Sequence, residues 1–563
     1  MILPFTLGQP VDRDYGNAHP DIEFFGDKHM VTQKKIKKID DIWIVTREYD
    51  GLAGAGGVKD VCRQLAESLV KRADVSVMLP LYGFISPGVL GFKPAESLQV
   101  DMNYVGVERR EDVRIWKKEK KEGKRTLTLY LVEADRYRDK RAVYTYTADD
   151  EVDDPLHLQG SGHYDYFAMN ILLQKAALNF MLYKGKRPDI VHCHDGHAAL
   201  LPVMARERDG FRQFFRKTGF VVTIHNAGIG YHQEVDDLPY AKAITGLPSR
   251  IIGKNLLGGR FDPFLASAPY VVMNTVSENY ARELRESDDD AMTGWLGHNL
   301  VSRGVMLQGV TNGINPDDFN PEKAEQLGIA APFSPSGKKL GGKATCRRDI
   351  VSMLEKKELG KVRISGKLQG WYDQPLFTFI GRLSAQKGVD KMVGALEILL
   401  PMDEKFQVLV LGTGVKELED GLRTLAENKK YTGRVCVLFG YDERLANKVY
   451  AAGDFFLIPS QYEPCGLTDY IAQLFGNLPV VHHVGGLVKV QDDKTGFVYH
   501  DHSSVALMGA MQRAMKTFRE KPEKIADMQQ ESVKVIQNLY TWDKIVLRYM
   551  KLYQEALGLC RNC

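Results

Sequence analysis

Four short stretches carry the side chains best suited to chemistry. The most specific is Pro459-Ser-Gln-Tyr-Glu463-Pro-Cys465-Gly466-Leu467-Thr468, set between a strand pattern and a helix pattern. Amides at Gly466, Leu467 and Thr468 would open the helix and could hold the distal phosphate of a leaving diphosphate. Glu463 would then face whatever that phosphate carries. A carboxylate beside a sugar can hold its hydroxyls and stabilise positive charge at the anomeric carbon. Another stretch, Gly381-Arg382-Leu-Ser-Ala-Gln-Lys387-Gly, follows a strand. It offers a planar fork of donors at Arg382 and a point charge at Lys387, both suited to a diphosphate. Surface decoration is the competing reading of two such cations.

The other two stretches are more ambiguous. Val191-His192-Cys-His194-Asp195-Gly-His197 ends a strand. Positions 192 and 194 share a strand face, which invites zinc, but no Glu follows as in H-E-x-x-H and no remote Cys/His pair has ligand spacing. A satisfied histidine cluster competes with substrate contact here, and no metal is expected. Gly51-Leu-Ala-Gly54-Ala-Gly56-Gly57-Val-Lys59-Asp60 lies between a strand and a helix. Glycine lets backbone approach a phosphate closely, yet such a turn is also an ordinary tight connection.

These stretches need elements to aim them. Strand patterns at 42–45, 75–79, 189–192, 220–224 and 270–276 alternate with helix patterns at 61–70 and 166–183. The rhythm restarts with strands at 376–380, 407–411, 434–438, 455–458 and 479–482. Helices are expected near 388–401, 416–428, 443–452 and 468–476. Short apolar strands alternating with helices predict α/β architecture with mostly parallel sheets covered on both faces. Two series predict two doubly wound, Rossmann-like domains with a ligand at the strands' C-terminal ends. The polar stretch 322–370 is expected to hold the junction. Boundaries follow as an arm at 1–40, a first domain at 41–335, a second at 336–540 and a closing helix at 541–563.

Bulk properties exclude several classes. At 563 residues the chain exceeds one ordinary core. Its 75 basic and 72 acidic residues leave a net charge of +3 with the signs mixed, so no broad nucleic-acid footprint is expected. No apolar run is long enough to span a bilayer, and no secretory signal or plastid transit peptide is evident. Seven irregularly spaced cysteines fit a reduced, cytoplasmic protein. The Cys560-x-x-Cys563 pair reads as two free thiols at a frayed tail, and the KKIKK run at 34–38 as a solvated edge.

In this order, the four stretches resemble the bacterial glycogen synthase and plant starch synthase family of GT-B glycosyltransferases. Thr223-Ile-His-Asn226, Asn274-Thr-Val-Ser-Glu-Asn-Tyr-Ala-Arg-Glu283, Thr311-Asn312-Gly-Ile314 with Asn320-Pro321, and Tyr540-Thr-Trp-Asp543 extend the match from about residue 42 to 550. The resemblance implies two Rossmann-like domains facing across a deep cleft. It implies retaining transfer of glucose from a nucleotide-diphosphate sugar, ADP-glucose ahead of UDP-glucose, to an α-1,4-glucan, with no cofactor or metal. The final helix is expected to pack back on the first domain.

The resemblance also assigns residues. Arg382 and Lys387 would bind the diphosphate, and Glu463 the glucose 3- and 4-hydroxyls. Amides at Gly466, Leu467 and Thr468 would meet the distal phosphate. His194 would lie near the 6-hydroxyl, and Gly56 with Gly57 would form the first domain's side of the cradle. Asp195, Asn226, Asn312, Cys465, Gly485 and Gly486 complete the implied substrate site. Asp165 and Asn255 are acceptor candidates by position.

Four departures stand out. The family's Lys-x-Gly-Gly-Leu is Gly54-Ala-Gly56-Gly57-Val here, leaving Lys59 or Arg47 to compensate. An aromatic after His-Asp is Gly196, Asn-Leu-Ala-Tyr is Asn226-Ala-Gly-Ile229, and a basic pair before the last Gly-Gly is His482-His483. They leave open a retaining transferase with a small or different acceptor, and a catalytically weak glucan-binding homologue.

Overall fold

The structure, a computed structural model, describes residues 37–357 and 359–560. Residues 1–36 of the expected arm and Cys563 lie outside the described residues. From Ile39 onward the described residues form one compact unit built on two large sheets.

The first sheet contains β1 (Asp41–Val45), β2 (Asp74–Pro80), β3 (Lys93–Asp101), β4 (Arg110–Glu122), β5 (Arg125–Glu133), β6 (Ile190–His194), β7 (Gly219–Ile224), β8 (Val272–Thr275) and β9 (Gln308–Gly309). Their order is β9-β8-β7-β6-β1-β2-β5-β4-β3. Pairing is parallel from β9 through β5 and antiparallel across β5-β4-β3. Strands β1, β6 and β7 are buried along their whole length, as apolar parallel strands covered on both faces must be. The antiparallel extension was not visible in sequence. In β4, REDVRIWKKEKKE, only Val113 and Ile115 are buried, and charged residues hide the alternation on this exposed edge.

The second sheet contains β10 (Arg363–Gly366), β11 (Leu376–Ile380), β12 (Gln407–Gly412), β13 (Val435–Phe439), β14 (Phe455–Ile458), β15 (Leu478–His482) and β16 (Phe497–Tyr499). The order is β10-β13-β12-β11-β14-β15-β16, parallel except for β10.

In each sheet the strand order reverses at one place. The reversal lies between β1 and β6 in the first sheet, and between β11 and β14 in the second. Loops after neighbouring strands diverge there, leaving a crevice at the strands' C-terminal ends. All four chemistry-bearing stretches lie at or beyond the C-terminal ends of those four strands.

One helix completes the second half, and another ties the two halves together. Stretch 322–370 is not a polar linker: Leu327, Ile329 and Phe333 already pack with the second sheet. Helix α1 (Gly341–Lys356) buries Cys346, Ile350, Val351 and Leu354, a helical stripe masked in sequence by its lysines and arginines. The last helix, α2 (Trp542–Leu559), returns to the first half. Trp542, Val546, Tyr549 and Tyr553 enter the first core, and Trp542 Nε1 donates to Gln64 Oε1 at 2.6 Å. No helix among the described residues is long and apolar enough to cross a membrane.

Candidate active site

On the second sheet, β11 ends into Arg382 and Lys387, and β14 into the Glu463 loop. Lys387 Nζ donates to Glu463 Oε2 at 2.6 Å, and Ser460 Oγ donates to the same oxygen at 3.0 Å. Glu463 is buried, which by itself would raise its carboxyl. The Lys387 ammonium, the Ser460 hydroxyl and the charge of Lys489 outweigh burial and hold it below the ordinary value. His482, where the family pattern has a basic residue, instead hydrogen-bonds the Ser460 carbonyl at 2.8 Å and props the loop from behind.

Gly485 and Gly486 do not offer amides to the cleft. Gly485 N–H donates to Glu283 Oε1 at 2.9 Å and Gly486 N–H to the Glu463 carbonyl at 2.8 Å. Their need for glycine is steric. Gly485 has φ +53°, and a Cβ there would lie 2.0 Å from the Glu463 carbonyl oxygen. One at Gly486 would lie 2.1 Å from that of Cys465. The turn thus backs the Glu463 loop.

On the first sheet, β1 leads into Glu48 and the glycine turn. Glu48 Oε2 accepts from the Ala55 and Gly56 amides at 2.7 and 3.2 Å, and Tyr144 Oη donates to its other oxygen at 2.6 Å. The chain's own carboxylate therefore takes the Gly56 amide expected to cradle phosphate. Gly57 faces the second half, where an added Cβ would meet Leu467 Cδ1 at 3.0 Å. Lys59 lies over Gly54, with Cδ 2.3 Å from where a Cβ would stand, and its ammonium pairs with Asp50 and Asp60. Arg47 is enclosed, donating to Tyr82 and Asn170. Of the two expected substitutes for the family lysine, Lys59 alone lines the cleft cavity.

The histidine stretch that closes β6 is a neutral, interlocked cluster. His192 is within hydrogen-bond distance of Thr223 Oγ1 at 2.7 Å and Tyr553 Oη at 3.0 Å. His194 Nδ1 lies 2.8 Å from His225 Nε2, while His194 Nε2 is buried with no partner among the described residues. Burial and the neighbouring histidines hold His194 well below its ordinary value, and burial takes His225 down to about 3. Asp195, at φ 57°, accepts the His225 amide at 2.7 Å, and burial pushes its carboxyl up to about 7. It holds the 225–226 backbone in place.

Between the halves lies a cavity of about 500 Å³. Gly54–Gly57 and Lys59 line it from one side, and Arg382, Thr413, Tyr441, Leu467 and Thr468 from the other. Arg382 Nη2 reaches Tyr231 Oη of the first half at 3.4 Å. Asn226 hydrogen-bonds Tyr462, the neighbour of Glu463, and the Asn312 amide meets the buried Cys465 thiol. Ser277 Oγ donates to the Pro464 carbonyl at 2.7 Å. The acceptor candidates are engaged elsewhere. Asp165 pairs with Arg136 and Lys140, and Asn255 bonds Ile251 and Arg303.

Residues 41–298 match the starch synthase catalytic domain, and residues 365–532 match glycosyl transferases group 1. A glycogen synthase of Geotalea daltonii is 31% identical over 92% of this chain and 99% of its own length. One from Aeromonas hydrophila is 30% identical over 92% and 98%. The chain belongs to the glycogen and starch synthase family. It is a glycosyltransferase, and its fold is GT-B. The catalytic domain of Arabidopsis thaliana starch synthase IV, bound to ADP and acarbose, superposes with a TM-score of 0.76 at 23% identity. That match covers 92% of this chain and all of the other. A sucrose-phosphate synthase from Thermosynechococcus elongatus superposes at 0.54 and 16% identity, covering 92% and 99%.

Several contributors to this glycosyltransferase site were not singled out in sequence. Ser460 and Tyr462 sit inside the Glu463 stretch, unremarked. Tyr441, Thr413 and Asn447 line the cavity after β12 and β13, and position beyond a parallel strand was the signal that could have found the first two. Glu48 lacked any such signal, because two of its partners are backbone amides and the third, Tyr144, is distant in sequence.

Proposed function

We propose that this chain transfers glucose, with retention, from a nucleotide-diphosphate glucose, ADP-glucose first, to the non-reducing end of an α-1,4-glucan. The observation that carries this reading is the Lys387–Glu463–Ser460 cluster beside a cavity large enough for a nucleotide. The glycogen synthase relatives, and the ADP and acarbose bound to the starch synthase, support it.

On this reading the nucleotide occupies the cavity, and its diphosphate meets Arg382, Lys387 and the turn at Gly466 to Thr468. The ammonium of Lys387 has three protons, so it can serve a phosphate oxygen while keeping Glu463 ionised. As the diphosphate departs, Lys387 and Arg382 meet the charge growing on the leaving oxygen. Glu463 holds the sugar hydroxyls and its charge favours the cationic anomeric carbon. His194, neutral and with an unpartnered buried nitrogen, contributes a hydrogen bond and no charge. Protein cations supply the counter-charge, so no metal is required and a chelator leaves the rate unchanged.

The test is nucleotide release from ADP-glucose and UDP-glucose, each with and without glycogen or maltooligosaccharide primer, with products sized and their anomeric configuration assigned by NMR. Primer-dependent release with lengthening α-chains is expected. Release without chain growth would move the acceptor to another class, and no release from either donor would favour a glucan-binding homologue.

A further inference from the structure

One buried ammonium beside this site has so far entered only as a charge near Glu463. Lys489 follows the Gly485–Gly486 turn, and only 6% of its side chain is exposed. Its Nζ donates to the carbonyls of Cys465, Gly466 and Gly486, lies 3.1 Å from Asp469 Oδ2 and stands 4.4 Å above the Tyr470 ring. Three carbonyls account for the three donors of an ammonium. Removing such a charge from water is costly, so an arrangement this enclosed demands a compensating set of contacts.

Those contacts act directly on the proposed phosphate turn. In a planar trans peptide the C=O and N–H point in opposite directions. The peptide that presents Cys465 C=O to Lys489 carries the Gly466 N–H on its far side. The peptide that presents Gly466 C=O carries the Leu467 N–H. Neither amide has an acceptor among the described residues, and Leu467 and Thr468 line the cavity. A cation on the carbonyl also polarises the amide and makes its N–H a stronger donor. The left-handed backbone at Gly466, φ +73°, lets both carbonyls turn to the same side. Asp469, on the next turn of chain, is fully buried and supplies the counter-charge.

We propose that Lys489 is a positioning residue for transfer, aiming and polarising the Gly466 and Leu467 amides toward the leaving diphosphate. This rests on the donor placement proposed above. It predicts a defect in diphosphate recognition and departure, with the glucan side untouched.

The experiment begins with wild-type transfer and its inhibition by ADP and by UDP. Absence of both transfer and nucleotide inhibition would sink the donor placement itself. With wild-type activity in hand, the charge-neutral pair Lys489→Met/Asp469→Asn is compared with Asp469→Asn alone. The double variant should melt within a few degrees of wild type and lose about 100-fold in kcat. Inhibition by the product nucleotide should weaken about 10-fold, while primer KM stays within twofold. Asp469→Asn, which keeps the lysine, should bind product nucleotide at least as tightly as wild type. A folded double variant with wild-type kcat and nucleotide inhibition would overturn the proposal, as would a change in primer KM equal to that in nucleotide inhibition. Should the double variant fail to fold, Asp469→Asn decides alone: inhibition as tight as wild type supports the role of Lys489, and weaker inhibition overturns it.

Discussion

The two halves of the cleft solve the same topological problem with opposite electrostatics. At the first sheet's reversal stand His192, His194, His197 and His225, all held below their ordinary values by burial. The acid among them, Asp195, is raised to about 7. At the second sheet's reversal stand Arg382, Lys387 and Glu463, with Lys489 and Asp469 behind them. Glu463 is buried too, yet a lysine 2.6 Å away keeps it ionised. Burial alone does not decide the charge of a group; what stands beside it does. The first half's histidines thus supply neutral hydrogen bonds and shape, its Lys59 being already paired with Asp50 and Asp60, and the second half supplies the charges that a departing diphosphate demands.

That contrast can be broken most severely on the charged side. Glu463→Ala and Lys387→Ala should each lower transfer about 100-fold to 1000-fold in steady-state assays. Retention of activity in either would remove the charged half from the chemistry. On the neutral side His194→Ala should cost less, about 10-fold to 100-fold in kcat, since a lost neutral hydrogen bond is worth about 1–3 kcal/mol. Because His194 does not ionise in the ordinary histidine range, the ratio of wild-type to variant rates should stay flat between about pH 6 and 8. A ratio that follows a histidine titration would contradict its neutrality.

A stability measurement sharpens the same comparison. With its folded value depressed, Glu463 stabilises the fold above the ordinary carboxylate range, and that contribution disappears as pH falls through the depressed value. Lys387→Met removes the main group that opposes burial and leaves the Ser460 hydroxyl and the charge of Lys489, so Glu463 moves upward and its ionisation stabilises the fold less. The gap in melting temperature between wild type and variant should therefore widen as pH rises from about 4 to 7. A constant gap would mean that the pair is not coupled. The smallest effect is expected at the seam: Gly57→Ala must displace Leu467 Cδ1 by a few tenths of an ångström, giving a few-fold rise in donor KM.

Much of this molecule was legible in its residues. The helix expected at 166–183 is Tyr166–Tyr183, and the strands at 376–380 and 455–458 lie where the apolar runs put them. Buried parallel strands are continuous apolar runs, and glycine and proline punctuate the loops between them. Strand β4 escaped because an exposed edge is written in charged residues, and helix α1 because lysines and arginines conceal its apolar stripe. The Glu463 and Lys387 stretches were legible because their chemistry is written in side chains. Glu48 bonding backbone amides, and Glu283 accepting the Gly485 amide, were not, since backbone carries no identity in sequence.

The sequence by itself determined the fold class, the four loops at strand ends and the family, because residue type, order and local spacing suffice for each. Only the tertiary structure decided how the buried groups are charged and which amides remain free. Those depend on partners far along the chain: Lys387 against Glu463, Glu283 against Gly485, Tyr553 against His192. Electrostatic energy falls with distance through space and is strengthened by exclusion of water, and neither quantity exists until the chain has folded.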